Sequence, residues 1–239
     1  MRTIKMSFLS FLLMILLLMS TTAIHAFATE DPCFDLGTAI GKSGDTVRVE
    51  LRLRNNPGIT AFSVSIGYSS KDLELIDIEN GGLFDDAVSV GKLNVNPVTV
   101  SWYAADSENK TDNGTAAVLV FKIRDNASDS SVTLTYNPEN VFDNRLQNKE
   151  FTVSDGFVYI GEKPTDYLLG DASGDGIIEV TDGTFLQRDI ALIETPYTKT
   201  ELLRGDADQN GKIEIFDVTA IQYYLANMRT PFPIGTRIE

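Results

Sequence analysis

The amino-acid sequence predicts two modules, an all-β sandwich followed by a small all-α unit built from two loop–helix repeats. Three observations carry this prediction. Between Asp35 and Ile160, short apolar or alternating segments recur between Gly, Asn, Asp and Pro turn signals, and no stretch keeps a helical period. Beyond Gly161-Glu162-Lys163-Pro164 the pattern changes to acidic loops, each followed by a helical pattern. The second region also repeats itself: residues 170–191 align without a gap on 205–226, an offset of 35, with ten of 22 positions identical.

The N-terminus is set aside before the elements are read. Arg2 and Lys5 precede an apolar run from Phe8 to Met19, and Ala26-Phe27-Ala28 has the small-x-small form that signal peptidase accepts. Residues 1–28 therefore read as an export signal, because an apolar run of about 12 residues is short for a membrane span of roughly 20. The mature chain is expected to be secreted, extracellular and without membrane insertion. Its composition bounds its chemistry. With 34 acidic against 20 basic residues and a net charge of −14, it repels phosphate, which argues against nucleic-acid binding. The one histidine, His25, falls in the predicted signal, and Cys33 is the one cysteine. An intrachain disulfide, a His- or Cys-ligated zinc site, a Ser-His-Asp triad and a Cys-His dyad are thereby excluded. Carboxylates are the reactive groups that remain.

The sandwich is expected over residues 29–161. Its strands read as 46–53, 61–68, 73–78, 98–104, 116–123, 132–136 and 157–160. Turns at Asn55-Asn56-Pro57-Gly58, Asn80-Gly81-Gly82, Asp112-Asn113-Gly114, Asn137-Pro138 and Ser154-Asp155-Gly156 separate them. Seven or more short strands in this length describe two packed sheets. Side-chain parity then divides the faces. In 61–68, Phe62, Val64, Ile66 and Tyr68 form an apolar row, and Ala61, Ser63, Ser65 and Gly67 a small, flat one. In 116–123, Ala117, Leu119, Phe121 and Ile123 form the core row, leaving Val118 and Val120 outward. Trp102 shares a face with Val98, Val100 and Ala104, which by pattern suggests core.

A short linker, 162–168, leads to the repeat module at 169–239. Calcium takes six to eight oxygen ligands, and a 12-residue EF-hand-type loop offers them from positions 1, 3, 5, 7, 9 and 12. In the first loop these positions are Asp171, Ser173, Asp175, the Ile177 carbonyl, Glu179 and Asp182. In the second they are Asp206, Asp208, Asn210, the Lys212 carbonyl, Glu214 and Asp217. Position 6, where the loop turns sharply, is Gly176 and Gly211. Four carboxylates in each loop repel one another unless a cation offsets them, so two Ca²⁺ ions are expected. Ser173, neutral and short, makes the first site the weaker. Ile178 and Ile213 are expected to pair as a short strand contact between the loops.

A duplicated 12-residue calcium loop ending in Asp and followed by a single helix resembles a dockerin; residues 164–169 and 196–204 are too short or too broken for long entering helices. The resemblance implies a module that plugs into a cohesin on another protein. By position it implies recognition through Thr181, Arg188 and Leu192 on the first helix and Phe216, Tyr223 and Tyr224 on the second. Polar residues on one helix thus stand opposite aromatic ones on the other, from which a single docking orientation is expected.

The first module in turn resembles a cohesin. The match runs through Gly44-Asp45-Thr46-Val47, Gly58-Ile59 to Tyr68, Leu73-Glu74-Leu75, Gly114 with the alternation of Ala117, Leu119, Phe121 and Ile123, and Asp155-Gly156. Ser69-Ser70 stands where the family often has Asp-Pro. The resemblance implies a jelly-roll sandwich. It places the rows of Ala61, Ser63 and Ser65 and of Val118 and Val120 on the one sheet that receives a dockerin, with Trp102, Ala105 and Leu146 as further contacts.

Together the two resemblances imply a non-catalytic adaptor scaffoldin of a cellulosome-like complex. Its dockerin would enter a cohesin of a larger scaffold in a Ca²⁺-dependent way, while its cohesin recruits dockerin-bearing enzymes for polysaccharide degradation. Two alternatives stay open from the residues alone. One is a small glycoside hydrolase carrying a dockerin, which needs two carboxylates about 5 Å apart. The other is a carbohydrate-binding module, whose row of exposed aromatics Trp102 and Tyr103 do not supply.

Overall fold

The strands pack as two facing sheets in the computed structural model, which describes residues 31–84 and 88–239; the predicted export signal lies outside the described residues. The strands of the sandwich are β1 (Cys33–Leu36), β2 (Thr38–Gly41), β3 (Thr46–Arg54), β4 (Ala61–Tyr68), β5 (Leu73–Asn80), β6 (Ser89–Val90), β7 (Val98–Tyr103), β8 (Gly114–Ile123), β9 (Ser130–Tyr136), β10 (Thr152–Ser154) and β11 (Gly156–Ile160). One sheet runs β10-β1-β3-β8-β5 and the other β2-β11-β9-β4-β7-β6. The seven strands expected from alternation are all present. In β3, burial alternates along the strand as the sequence does, with Val49, Leu51 and Leu53 fully buried between exposed or half-exposed polar residues.

Phe34, Phe62, Ile66, Leu119 and Phe121 fill the space between the sheets with essentially no exposed surface. Phe34 stacks on Phe151 at 4.4 Å between ring centroids and meets Phe62 at 5.4 Å, tying β1 and the segment before β10 to the opposite sheet. Full burial of each such side chain is worth about 1.5–3 kcal/mol. Asp35, buried on β1, is satisfied by ion pairs to Arg52 and Arg54 at 3.0 and 3.1 Å.

The second module comprises β12 (Tyr167–Leu168), α1 (Val180–Ile190), α2 (Lys199–Leu202) with a 3-10 turn at Leu203–Gly205, α3 (Ile215–Leu225) and β13 (Arg237–Ile238). α1 and α3 pack together over Leu186, Leu202, Val218 and Ile221, with Ala172 and Ala207 from the two loops. Phe185 meets Tyr197 edge-on at 4.9 Å.

Two expectations need correction. The short linker predicted at 162–168 ends sooner: Tyr167 and Leu168 belong to the second module, pairing antiparallel with Ile238 and Arg237, and Leu169 N–H donates to the Thr236 carbonyl at 2.9 Å. Backbone pairing with the far end of the module outweighs the loop-like composition. Ile178 and Ile213 do not form a β-bridge among the described residues. Both are half-buried against the small helical core, where their apolar side chains are satisfied by packing instead.

The modules also touch directly. Lys42 is ion-paired with Glu162, Thr200 packs on Gly161, and Tyr159, which alternates with inward Val158 on β11, is buried although it points out of the sandwich. Burial raises the Tyr159 hydroxyl far above its ordinary pKa, and the carboxylates of Asp189 and Asp206 add to the effect. The helical module therefore covers the β2–β11 end of the six-stranded sheet.

Candidate functional site

The two acidic loops are held in shape by their own backbone. In the first, Asp171 accepts from the Gly174 and Gly176 N–H groups at 2.7 and 2.8 Å and from the Ser173 hydroxyl at 3.0 Å. In the second, Asp206 accepts from Asn210 and Gly211 N–H at 3.2 and 2.7 Å. Asp175 and Asn210 each accept from the N–H two residues on, Ile177 and Lys212, both at 2.8 Å. Gly176 and Gly211 take φ of +89° and +84°, a conformation that costs glycine little and a side chain more.

The last acid of each loop serves the helix as well. Asp182 accepts from Ser173 N–H at 2.9 Å and from Glu179 N–H at 2.8 Å; Asp217 does the same for Ala207 and Glu214 at 2.9 and 2.8 Å. Each is the third residue of its helix, so a carboxylate sits at the positive end of the helix dipole while closing the loop. Asp182 and Asp217 are buried, as are Asp171 and Asp206. Glu179 and Glu214 are exposed.

In the second loop the carboxylate oxygens of Asp206, Asp208 and Asp217 lie within 4.8 Å of one another. Burial, chiefly, drives the Asp206 pKa well above the carboxylate range, with the neighbouring Asp217 and Asp208 charges adding to it. Burial likewise pushes Asp217 up to about 6 and raises Asp182. Desolvated, mutually repelling acids of this kind are ionised readily once a cation sits among them. The donors are all oxygens, from Asp, Asn, Ser, Glu and backbone carbonyls, a set that suits a hard ion and not a thiophilic one.

The residues expected to make the docking contacts on the helices are solvent-facing. Thr181 and Arg188 on α1 and Phe216, Tyr223 and Tyr224 on α3 are exposed, and Leu192, just past α1, is 89% exposed. Arg188 is partly engaged, donating from Nε to the Glu194 carbonyl at 3.1 Å. Phe216 meets Phe232 edge-on at 5.4 Å.

On the sandwich the structure separates residues that were expected together. Ala61, Ser63 and Ser65 face outward on β4, beside Tyr103, Ser101 and Thr99 of β7. The Ser63 and Ser101 hydroxyls are 2.8 Å apart, and Thr135 of β9 completes the row next to Ser65. Val118 and Val120 lie on β8, in the opposite sheet, so the two rows cannot form one surface. Parity along a strand reports which side chains point outward, but not which sheet the strand joins. Nor are the valines open: they are 8% and 6% exposed, on a face where Arg48 of β3 reaches across β8 to Glu79 of β5 in a two-pronged ion pair at 2.7 and 2.6 Å.

Trp102 is a second correction. It is 2% exposed and stacked on Phe84 at 3.8 Å, with Phe62 at 6.1 Å, so it belongs to the core as its alternation suggested and not to the docking surface. Its neighbour Tyr103, one residue on and so on the other face, is 68% exposed beside Ala61. Tyr103, Ser101 and Thr99 were missed, although the parity that buries Trp102 also turns them outward. Ala105 is exposed in the turn after β7. Leu146 is 78% exposed at φ 59° in a turn closed by its own N–H to the Asp143 carbonyl at 2.9 Å, and Phe142 of that segment bridges to Ala61.

This architecture, two facing sheets with a flat polar face and a hydrophobic interior, defines a β-sandwich interaction module. The family model of the cohesin domain matches residues 33–160, and the chain belongs to the cohesin family. The match ends at the last strand of the sandwich, before the helical module begins. No curated protein matches the chain. Among solved structures, the sixth cohesin of scaffoldin B from Acetivibrio cellulolyticus, in complex with a mutant Cel5 dockerin, is similar at 20% identity and a TM-score of 0.51, over 55% of this chain and 99% of that one. A chain of the Coh-OlpA–Doc918 type I cohesin–dockerin complex from Clostridium thermocellum is similar at 18% identity and 0.50, over 55% and 99%. Both likenesses concern the fold.

Proposed function

We propose that this chain is a non-catalytic adaptor: a scaffoldin whose cohesin receives dockerin-bearing proteins and whose C-terminal module is a Ca²⁺-dependent dockerin for a cohesin elsewhere. The observation that carries the reading is the pairing, in one chain, of a cohesin sandwich with two twelve-residue oxygen-donor loops, each closed by the third residue of a helix with exposed recognition positions. The fit to calcium rests on the donors. Asp171, Ser173, Asp175, the Ile177 carbonyl, Glu179 and Asp182 would hold one ion; Asp206, Asp208, Asn210, the Lys212 carbonyl, Glu214 and Asp217 the other.

The division of labour follows from where the surfaces lie. The face of Ala61, Ser63 and Ser65 is small and flat, so a helix can approach its backbone closely. Tyr103 supplies an exposed aromatic at its margin and Leu146 an exposed apolar side chain beyond the Phe142–Ala61 bridge. The helical module occupies the other end of that sheet, at β2 and β11, and leaves β4 and β7 open. In a secreted assembly the two surfaces would link a polysaccharide-degrading enzyme to a larger scaffold, holding the complex outside the cell.

A pull-down tests this. The intact chain, immobilised, is offered dockerin-bearing enzymes, free cohesins and insoluble glucans, with Ca²⁺ or with EDTA. Capture of dockerins and of a cohesin with Ca²⁺, and loss of both with EDTA because the offered dockerins carry calcium loops of their own, is expected; retention on glucan without dockerin or cohesin capture overturns the adaptor reading in favour of a carbohydrate-binding one.

A further inference from the structure

The two loops share a sequence pattern, but they do not share surroundings. Gly176 of the first loop faces open space: a Cβ placed there would meet nothing within 4 Å. Gly211, its counterpart, abuts the sandwich, where a Cβ would come 1.8 Å from the Thr38 hydroxyl on β2. The next residue reinforces the difference. Ile177 at position 7 of the first loop is 62% exposed. Lys212 at position 7 of the second reaches into the sandwich, its ammonium donating to the Ser154 hydroxyl at 2.8 Å and the Asp155 carbonyl at 2.5 Å, with the buried Asp35 carboxylate 3.9 Å away.

We propose that the second loop is a joint between the modules as well as a cation cage, so that an ion bound there fixes the helical module against the sandwich while an ion in the first loop does not. The inference rests on the calcium reading and adds to it. In that reading the Lys212 carbonyl would be a ligand, while its side chain holds Ser154 at the end of β10 and Asp155 in the turn to β11. A loop ordered around the ion presents the ammonium at one place; a loop without it loses that constraint and the contact weakens. By linkage, the contact must strengthen ion binding at the second loop by the same factor that the ion strengthens the contact. The partner in this interaction is the chain's own cohesin, engaged through the β2 and β10–β11 edge and not through the open β4–β7 face.

The experiment uses the intact mature chain and two substitutions. Lys212→Met keeps the aliphatic stem and the ligating carbonyl but removes the ammonium; Ser154→Val removes an acceptor on the sandwich and leaves the loop untouched. Ca²⁺ titration by calorimetry reads both sites, the first serving as internal reference. Hydrogen exchange of residues 37–41 and 152–157 reads the sandwich side. For Lys212→Met, second-site affinity is expected to fall roughly five- to tenfold with the first site unchanged. Ser154→Val should move it in the same direction by less. Removal of Ca²⁺ from the wild type should raise exchange in both sandwich segments, and Lys212→Met should show that raised exchange with Ca²⁺ present. Wild-type affinity at both sites of Lys212→Met, or sandwich exchange indifferent to calcium, refutes the coupling while the calcium reading stands. Absence of Ca²⁺ uptake by the wild type refutes both.

Discussion

At the scale of single residues, the two position-6 glycines separate conformational strain from contact. Both hold positive φ, so alanine at either costs about 1 kcal/mol of backbone strain. Gly211→Ala must also displace Thr38, and Gly176→Ala displaces nothing. With Ca²⁺ present, thermal unfolding of Gly211→Ala is therefore expected at a clearly lower temperature than that of Gly176→Ala. Equal melting temperatures would mean that the loop shifts away at no cost. Asp143 offers a residue-scale prediction in pH. Its carboxylate is held down to about 2, first by the Lys149 ammonium at 2.8 Å and then by the Gln147 and Arg145 N–H groups. Because the folded state favours the ionised form, the stabilisation is complete above the ordinary carboxyl pKa of about 3.9 and is lost as pH falls through about 2. Asp143→Asn should lower the urea midpoint at pH 6, and the gap to wild type should close by pH 2. A gap that does not change with pH would show that charge is not what Asp143 contributes.

At the scale of elements, the fold was legible where strands are long enough to alternate. β3, β4 and β7 each show the period-two pattern over six residues; the inner rows read on β4 and β8 are the ones the structure buries, although β8 buries its outer row from Ala116 to Val120 as well. β1, β2, β6 and β10 escaped because two to four residues carry no period, and they exist through pairing with neighbours distant in sequence. The turns of the acidic loops were legible for the opposite reason: their hydrogen bonds are local, so the spacing of Asp171 to Gly176 and of Asp206 to Gly211 is enough to set them. What sequence could not supply was sheet membership, and this is why Val118 and Val120 were joined to a face they do not share. The same distinction makes a prediction. Ser63→Arg places a long charged side chain on the flat β4–β7 face and should weaken dockerin capture at least about tenfold, because the partner loses both close approach and a neutral surface. Val118→Thr, on the opposite sheet, should leave capture within about twofold. Surface plasmon resonance on both variants, with circular dichroism to verify folding, decides between them; a larger loss from Val118→Thr would move the docking face to the five-stranded sheet.

At the scale of the whole molecule, the chain divides its stability between two kinds of core. The sandwich buries a continuous aromatic and aliphatic interior. The helical module encloses few large side chains, chiefly Leu186, Leu202, Val218 and Ile221, and sets buried acids beside them. A core that small is marginal by itself. Calcium that binds only the folded module would stabilise it by about 4 kcal/mol per site at a thousandfold excess over Kd, comparable to the whole stability of a domain of this size. Calorimetry of the intact chain is therefore expected to show a calcium-dependent melting component, and EDTA should shift that component down by more than ten degrees. The component belonging to the sandwich should move far less, and by only as much as the Lys212 contact contributes. The division matters for function: chelation would melt the module proposed to plug into the scaffold while the sandwich keeps its fold and its receiving face, so the chain itself would lose only one of its two surfaces. Scans with and without EDTA that superimpose would remove calcium from the module's stability, and a sandwich component that falls as far as the helical one would mean that the two modules unfold as a single cooperative body.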